Sequence, residues 1–322
     1  MGFGGHGNGD DNEGQELDML LLQQMAVLFF LMVLGYCMRK REILSAETAK
    51  FLSWLVVHVA NPALILSGSI ERTGAAAPKE LGMCLGIAVL MFVGLILIAA
   101  VVTPLFRVSR ESAGTYRIMM IFSNVGFMGF PVIRAVYGSE ALLYASLFLI
   151  PYNLLIYTYG IREMQGAGAE RTKISWKKIL NVGVLSCLVA LAIAIFQIPT
   201  PDFVETAVSS LSGLTAPLSM MVIGASMAEF DVRELFTDRK LLAFSAFKLL
   251  VVPVAGMLFI KLFVESEMFL GVCLVMLSTP VGSMTAMLAQ QYGGDYELDS
   301  KGVALTTLLS VATMPLVSML VG

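Results

Sequence analysis

Residues 123–131 read Ser123-Asn124-Val125-Gly126-Phe127-Met128-Gly129-Phe130-Pro131, and 155 positions on the chain reads Ser278-Thr279-Pro280-Val281-Gly282-Ser283. Both stretches lie near the centre of apolar runs. In each, glycine lowers helix propensity, while proline removes an N–H and clashes with the preceding turn, so both helices should break there. The same offset relates Asn61-Pro62 to Ala216-Pro217 and Tyr137-Gly138 to Tyr292-Gly293. The chain therefore reads as two copies of one unit with breaks in matching places.

Composition sets the solvent around that unit. Hydrophobic residues make up 57% of the chain, charged residues 14%, and the mean hydropathy is +0.81; soluble domains carry about 25% charged residues. Runs of roughly 20 apolar residues, enough to cross about 30 Å of hydrocarbon, fall at 17–38, 46–69, 81–105, 116–137, 140–160, 178–197, 203–229, 240–262, 266–289 and 297–320. Five fall in each half, and an odd number per copy turns the second copy upside down. Inverted repeats with interrupted helices in matching positions are the architecture of secondary transporters. The expected fold is an all-α membrane protein of ten transmembrane helices, two inverted five-helix repeats with broken helices four and nine crossed.

The expected organisation is a disordered, Gly-rich and acidic tail over 1–16, a first repeat over 17–160, a cytoplasmic linker over 161–177 and a second repeat over 178–320. The tail lacks the basic start of a signal peptide, so the first apolar run is expected to be a retained helix. The short loops leave no separate domain for chemistry. Cys37, Cys84, Cys187 and Cys273 fall in apolar runs without CxxC spacing and read as packing residues. No cofactor, metal or nucleic acid is expected, and the chain does not read as an enzyme.

Lysine and arginine gather in alternate loops. One set comprises Arg39, Lys40, Arg41 and Lys50; Arg107, Arg110 and Arg117; Arg162, Arg171, Lys173, Lys177 and Lys178; Arg233, Arg239 and Lys240; and Lys301. The other loops hold Arg72, Lys79 and Lys261. Because short cytoplasmic loops collect positive charge, a multi-pass protein of the plasma membrane with both termini extracytoplasmic is expected.

Backbone freed at membrane depth is tolerated only where protein or a water-filled cavity satisfies it, so the two breaks should meet beside a cavity. The half-helices starting there point their N-termini, each carrying about half a positive charge, at one spot from opposite sides. That makes an anion site from the backbone around Gly126 and Gly282, with Asn124 offering amide donors. The plainer reading is packing, since glycine and proline are common in membrane helices; two breaks in register with a repeat favour the site. Lys248, near the middle of the eighth run, costs about 2.5–3.5 kcal/mol or more there. It either faces the interior as fixed positive charge or snorkels to the edge. No Asp or Glu stands clearly mid-span to pair with it, Glu80 being the nearest. His58 reads as packing. Tyr152, Asn153, Ser67, Thr215 and Ser219 either line the cavity or bond across helices.

At these residues the chain resembles the auxin efflux carrier family, which includes bacterial relatives of plant auxin exporters and malate and malonate permeases. The resemblance spans all ten runs. It is carried by Asn61-Pro62, the 123–131 stretch with Tyr137-Gly138, Ala216-Pro217-Leu218 with Ile223-Gly224-Ala225, and Leu277-Ser278-Thr279-Pro280 with Tyr292-Gly293. It implies the fold shared by bile-acid symporters and sodium/proton antiporters, with a scaffold of spans one, two, six and seven and a moving domain of spans three to five and eight to ten. It also implies small organic carboxylate substrates, such as indole-acetate-like auxins, malate or malonate, carried by an elevator motion. Asn124 and Pro280 match the family's crossover positions and Lys248 its mid-span basic residue. The expected substrate site is Asn124, Gly126, Pro131, Thr279, Pro280, Gly282, Lys248, Asn153 and Tyr152, facing Asn61, Pro62, Pro217 and Ser219 of the scaffold. The expected partners are the anion, the lipid bilayer and a second copy in a homodimer. The long cytoplasmic loop of plant members and an acidic partner in the third span are missing, which puts loop-based regulation and proton coupling through that pair in question. Alternatives to a carrier are an anion channel and a membrane receptor for a small carboxylate.

Overall fold

Pro62, Pro131 and Pro253 each stand at the second position of a helical segment, and each segment is preceded by one π-helical turn: Val56–Ala60, Val125–Gly129 and Phe247–Val251. Proline donates no N–H, and its ring crowds the carbonyl four residues back. Widening the preceding turn lets the helix continue past it. A fourth π turn, Ile156–Gly160, has no proline after it. The computed structural model describes residues 10–71, 77–165, 176–229 and 231–321.

Those residues form helices joined by short connections and contain no strand, only one isolated bridge. In chain order the helices are α1 (Asp10–Lys40), α2 (Ala46–Ile70), α3 (Pro78–Phe106), α4 (Arg110–Ile121), α5 (Val125–Tyr137), α6 (Ala141–Gln165), α7 (Val182–Phe196), α8 (Asp202–Met227), α9 (Arg239–Ile260), α10 (Glu267–Ser278), α11 (Ser283–Tyr292) and α12 (Tyr296–Val321). Single helical turns at Trp176–Ile179 and Val232–Leu235 lie before α7 and α9. Several caps are written in the sequence: Ser45, Ser109, Asn181, Asp238 and Ser266 accept from the first-turn N–H groups of α2, α4, α7, α9 and α10. α1 already runs through 10–16, part of the stretch expected as a tail; residues 1–9, and 166–175 of the expected linker, lie outside the described residues.

Among the described residues, seven helices are long and apolar enough to cross a membrane: residues 19–40 of α1, and α2, α3, α6, α8, α9 and α12. α5, α7 and α10 are shorter apolar helices. The shortfall from ten has a local cause. The fourth and ninth apolar runs are each split into two half-helices, and α7 starts at Val182 because the turn at Trp176–Ile179 and the cap Asn181 come first.

α1 lies along α8, and α2 packs on both α7 and α8. The α1–α8 seam is close enough for backbone contact. A Cβ on Gly35 would stand 2.2 Å from the carbonyl oxygen of Met221, and one on Gly224 would stand 1.9 Å from that of Met32. Small residues at such seams let dispersion act over backbone atoms where no hydrophobic force separates helix from lipid. A second group of contacts joins α3 to α4, α9 to α10, and α11 to α12. It encloses the two half-helix pairs.

Candidate substrate site at the paired helix breaks

α4 ends at Ile121 and α10 at Ser278, and the chain beyond each runs extended before the next half-helix begins. The two extended stretches pair antiparallel through Ser123 and Val281. Asn124 N donates to Pro280 O at 2.8 Å, and Gly282 N donates to Phe122 O at 3.0 Å. Each break thus satisfies backbone groups that the other frees, which is what a buried, non-helical segment needs in a membrane. Gly282 is required by the closeness of the crossing: a Cβ there would meet Ser123 O at 2.9 Å.

α5 starts beside the crossing with Asn124 as its cap. The side-chain Oδ1 accepts from Phe127 N at 3.2 Å, while Nδ2 is buried without a hydrogen-bond partner. Ser278 Oγ and Asn61 Oδ1 are also buried and unpartnered. Asn61, from α2, brings Nδ2 within 3.0 Å of where a Gly126 Cβ would stand. Ser219, from α8, donates to Phe127 O at 2.8 Å. Pro62 is buried on α2, Pro217 half-buried on α8, and Pro131 buried in α5.

Lys248 is 1% exposed, so it does not snorkel. Its Nζ donates to Met120 O at 3.1 Å and to Ser123 Oγ at 3.0 Å. The ammonium therefore sits at the C-terminal end of α4, where the helix dipole favours a cation, and it is bonded to the first residue of the break. Glu80 is engaged elsewhere, accepting from the Tyr144 hydroxyl at 2.7 Å.

Tyr152 also reaches the crossing, with its hydroxyl 3.3 Å from a Cβ placed on Gly282 and its ring edge-on to Phe122 at 5.4 Å. Thr279 donates to Met276 O at 3.1 Å, so its hydroxyl is occupied within α10. Asn153 is a structural bridge. It donates to Leu149 O at 2.8 Å and accepts from Asn181 Nδ2 at 2.5 Å, tying α6 to the cap of α7. His58 is exposed, bonded to Trp54 O at 3.0 Å and stacked on the Trp54 ring.

A cavity of about 10 Å³, lined in part by Ser123, Val125, Phe92, Phe148 and Met276, abuts the crossing. That is room for about one water. A larger cavity of about 290 Å³ lies between the ends of α2 and α7 and the start of α8, lined by Gln197, Thr200 and Glu205 among others, with no lysine or arginine among the described residues that line it. The crossing, with its orphaned donor and nearby ammonium, is the better-equipped place for an anion.

The sequence reading missed Asp299. It is fully buried in the first turn of α12, lies 2.6 Å by its Oδ1 from the Thr285 hydroxyl of α11, and has an unpartnered Oδ2. Its signal was faint because Asp295, Glu297 and Asp299 together look like the solvated, acidic first turn of a helix. Burial comes from α11 folding over it.

A family described as membrane transport protein matches residues 20–318. The chain belongs to this family of auxin efflux carrier-like transporters. Relatives of similar length match along nearly their whole sequence. An "Uncharacterized transporter" of Methanocaldococcus jannaschii is 27% identical over 92% of this chain and 98% of the relative. An "Uncharacterized transporter" of Methanothermobacter thermautotrophicus is 26% identical over 89% and 93%. A protein of Rhizobium meliloti named "Putative malonate transporter" is 23% identical over 89% and 91%. The transporter is a multi-pass membrane protein.

Proposed function

We propose that this transporter carries small organic carboxylates, malonate among them, by an elevator motion of a six-span domain against a four-span scaffold. In this reading α1, α2, α7 and α8 form the scaffold, and α3–α6 with α9–α12 form the moving domain. The ten spans are the seven long helices, α7, and the two broken pairs α4/α5 and α10/α11, arranged as inverted repeats. The observation that carries the reading is the buried, unpartnered Asn124 Nδ2 at the start of α5, beside the paired breaks. A carboxylate there would accept from Asn124 and from first-turn N–H groups of α5 and α11. Lys248 adds fixed positive potential through the break.

The small cavity fits an occluded intermediate. At the far end of α5, Arg134 donates to Ser212 of α8 and pairs at 3.6 Å with Glu71, the residue that follows α2, which also accepts from Ser139. At the far end of α11, Lys178 donates to the Tyr292 hydroxyl at 2.8 Å. Both tips of the moving domain are clamped to the scaffold at once. Opening toward either side breaks one clamp and keeps the other, which gives alternating access two local gates. The occlusion also favours a carrier over a channel, since it leaves room for about one water beside the breaks.

The test is uptake of radiolabelled malonate, malate and indole-acetate into proteoliposomes, with counterflow from a preloaded lumen. Saturable uptake with counterflow is expected; flux without saturation would make the protein a channel, and binding without flux a receptor. The inverted arrangement has its own check, because Arg110, the first residue of α4, and Glu265, in the loop before α10, are exposed and stand 155 positions apart. In a cysteine-free background, Glu265→Cys should react with an impermeant thiol reagent from outside the cell and Arg110→Cys only after the membrane is opened. Labelling of both from one side would sink the inverted repeat.

A further inference from the structure

Asp299 and Thr285 make a proton inventory that does not close with ordinary charges. Thr285 Oγ1 lies 2.7 Å from Gly282 O and 2.6 Å from Asp299 Oδ1. Both are hydrogen-bond distances between oxygens. The carbonyl brings no proton, an ionised carboxylate brings none, and the hydroxyl brings one. Two short contacts need two protons. A proton on Asp299 supplies the second: the acid donates to Thr285, and Thr285 donates to Gly282 O. A metal ion between these oxygens would hold them further apart. Asp299 Oδ2, buried and unpartnered, makes the ionised form costlier still.

Among the described residues, the surroundings bring no compensating cation into contact. Asp295, in the loop before α12, lies within electrostatic reach of Asp299, as does the Tyr152 hydroxyl from α6. Asp295 is itself engaged, accepting from Ser112 Oγ and from Leu298 N. On α9, Lys248 is committed to Met120 and Ser123. Lys301, two residues along α12, pairs with Glu297 at 2.6 Å and feels Glu234 and Asp238 from the connection before α9.

We propose that Asp299 is a proton-binding site that couples protons to the anion. The inference rests on the transport reading for its consequence and on the oxygen contacts for the proton itself. Gly282 caps α11, and Thr285 stands in its first turn. The positive end of α11 can therefore serve the Asp299 charge or the substrate charge. Two negative charges at one buried helix end repel strongly in low dielectric. Protonating Asp299 frees that end for the anion, and by linkage the bound anion holds the proton by the same factor. One proton then travels with one anion.

Infrared spectroscopy of the whole protein in lipid, titrated over the pH range in which it stays folded, tests the proton directly. The wild type should show the carbonyl stretch of a buried protonated carboxyl, and Asp299→Asn should lack it. Malonate affinity should fall about tenfold per pH unit above the point where that band vanishes, and the Asp299→Asn affinity should be flat with pH. If Asp299→Asn does not fold, Thr285→Val keeps the acid and removes its partner, and the band should shift. No band in the wild type, an unchanged band in Asp299→Asn, an unshifted band in Thr285→Val, or a band abolished by sodium with a rise in Tm would each overturn the proposal. A wild type that binds none of malonate, malate and indole-acetate would count against the transport reading while the infrared arm still decides on the proton. Binding with the same pH slope in Asp299→Asn would leave the transport reading standing and remove Asp299 as the coupling group.

Discussion

The two breaks are alike in backbone and unlike in charge. Ser123 and Ser278 open them 155 residues apart, and each break pairs with the other through an antiparallel bridge and two backbone hydrogen bonds. Around the first break the support is basic: Lys248 holds Ser123, and Asn124 caps α5. Around the second it is acidic: Gly282 caps α11 without a side chain, and Thr285 and Asp299 stand behind it. Neither charged support has a counterpart at the repeat offset. Lys248 maps onto Val93, which is largely exposed on α3, and Asp299 maps onto Tyr144. Ser278 Oγ is left unpartnered where Ser123 Oγ has the ammonium. A repeat fixes where helices break; the charges that make the two sides of a carrier chemically different are added outside it.

The sharpest way to break this comparison is to neutralise the basic side. Lys248→Met keeps the apolar stem and removes the charge, so saturable malonate uptake should fall to background. Thermal stability should change little, because the lost hydrogen bonds at Met120 O and Ser123 Oγ are offset by removing a buried charge. Uptake at the wild-type rate in the methionine variant would reduce Lys248 to a helix-end cap. Lys248→Arg should retain part of the rate, since a planar fork does not reproduce a compact ammonium bonded to a carbonyl and a hydroxyl.

A smaller effect is expected at Asn124. Its Nδ2 is the orphaned donor, and a hydrogen bond to a charged group is worth about 1.5–3 kcal/mol. Asn124→Ala should weaken malonate binding by about ten- to a hundredfold on those figures, measured by calorimetry on purified protein. It should also cost about 1 kcal/mol of stability through the lost cap of α5. Unchanged affinity in a folded variant would move the anion away from the first break.

Much of this was legible in the sequence for a simple reason. Glycine and proline act through local sterics, so the breaks at 122–124 and 279–282 follow from residue identity alone. The π turns before Pro62, Pro131 and Pro253 follow from the same sterics, although only the structure displays them. Lys248 was legible because a charge amid apolar neighbours must be accounted for. Asp299 and Asn153 were not legible as they stand. Asp299 sits where an acidic first turn would ordinarily be solvated, and its burial depends on α11, a tertiary neighbour. Asn153 stood between lining a cavity and bonding across helices, and which of the two holds is decided by its partner Asn181, 28 positions away at the cap of another helix. Hydrogen-bond partners across helices leave no trace in the periodicity of either one.

The smallest expected effect comes from the glycines at the two breaks, and it sharpens the comparison best because the substitutions are identical. At Gly282 an added Cβ meets the carbonyl oxygen of Ser123 at 2.9 Å, a backbone atom held by the crossing itself. At Gly126 the added Cβ meets Asn61 Nδ2 at 3.0 Å, the far end of a side chain that can turn aside. Overpacking against rigid structure typically costs about 1–3 kcal/mol, so Gly282→Ala should lower Tm and slow malonate counterflow severalfold. Gly126→Ala should leave Tm nearly unchanged and raise the malonate KM only slightly, as Asn61 rotates away. Equal losses at both positions would mean that the Asn61 side chain is as fixed as the backbone. The scaffold would then grip the first break as tightly as the second break does, and α5 could not slide past α2 without breaking that contact.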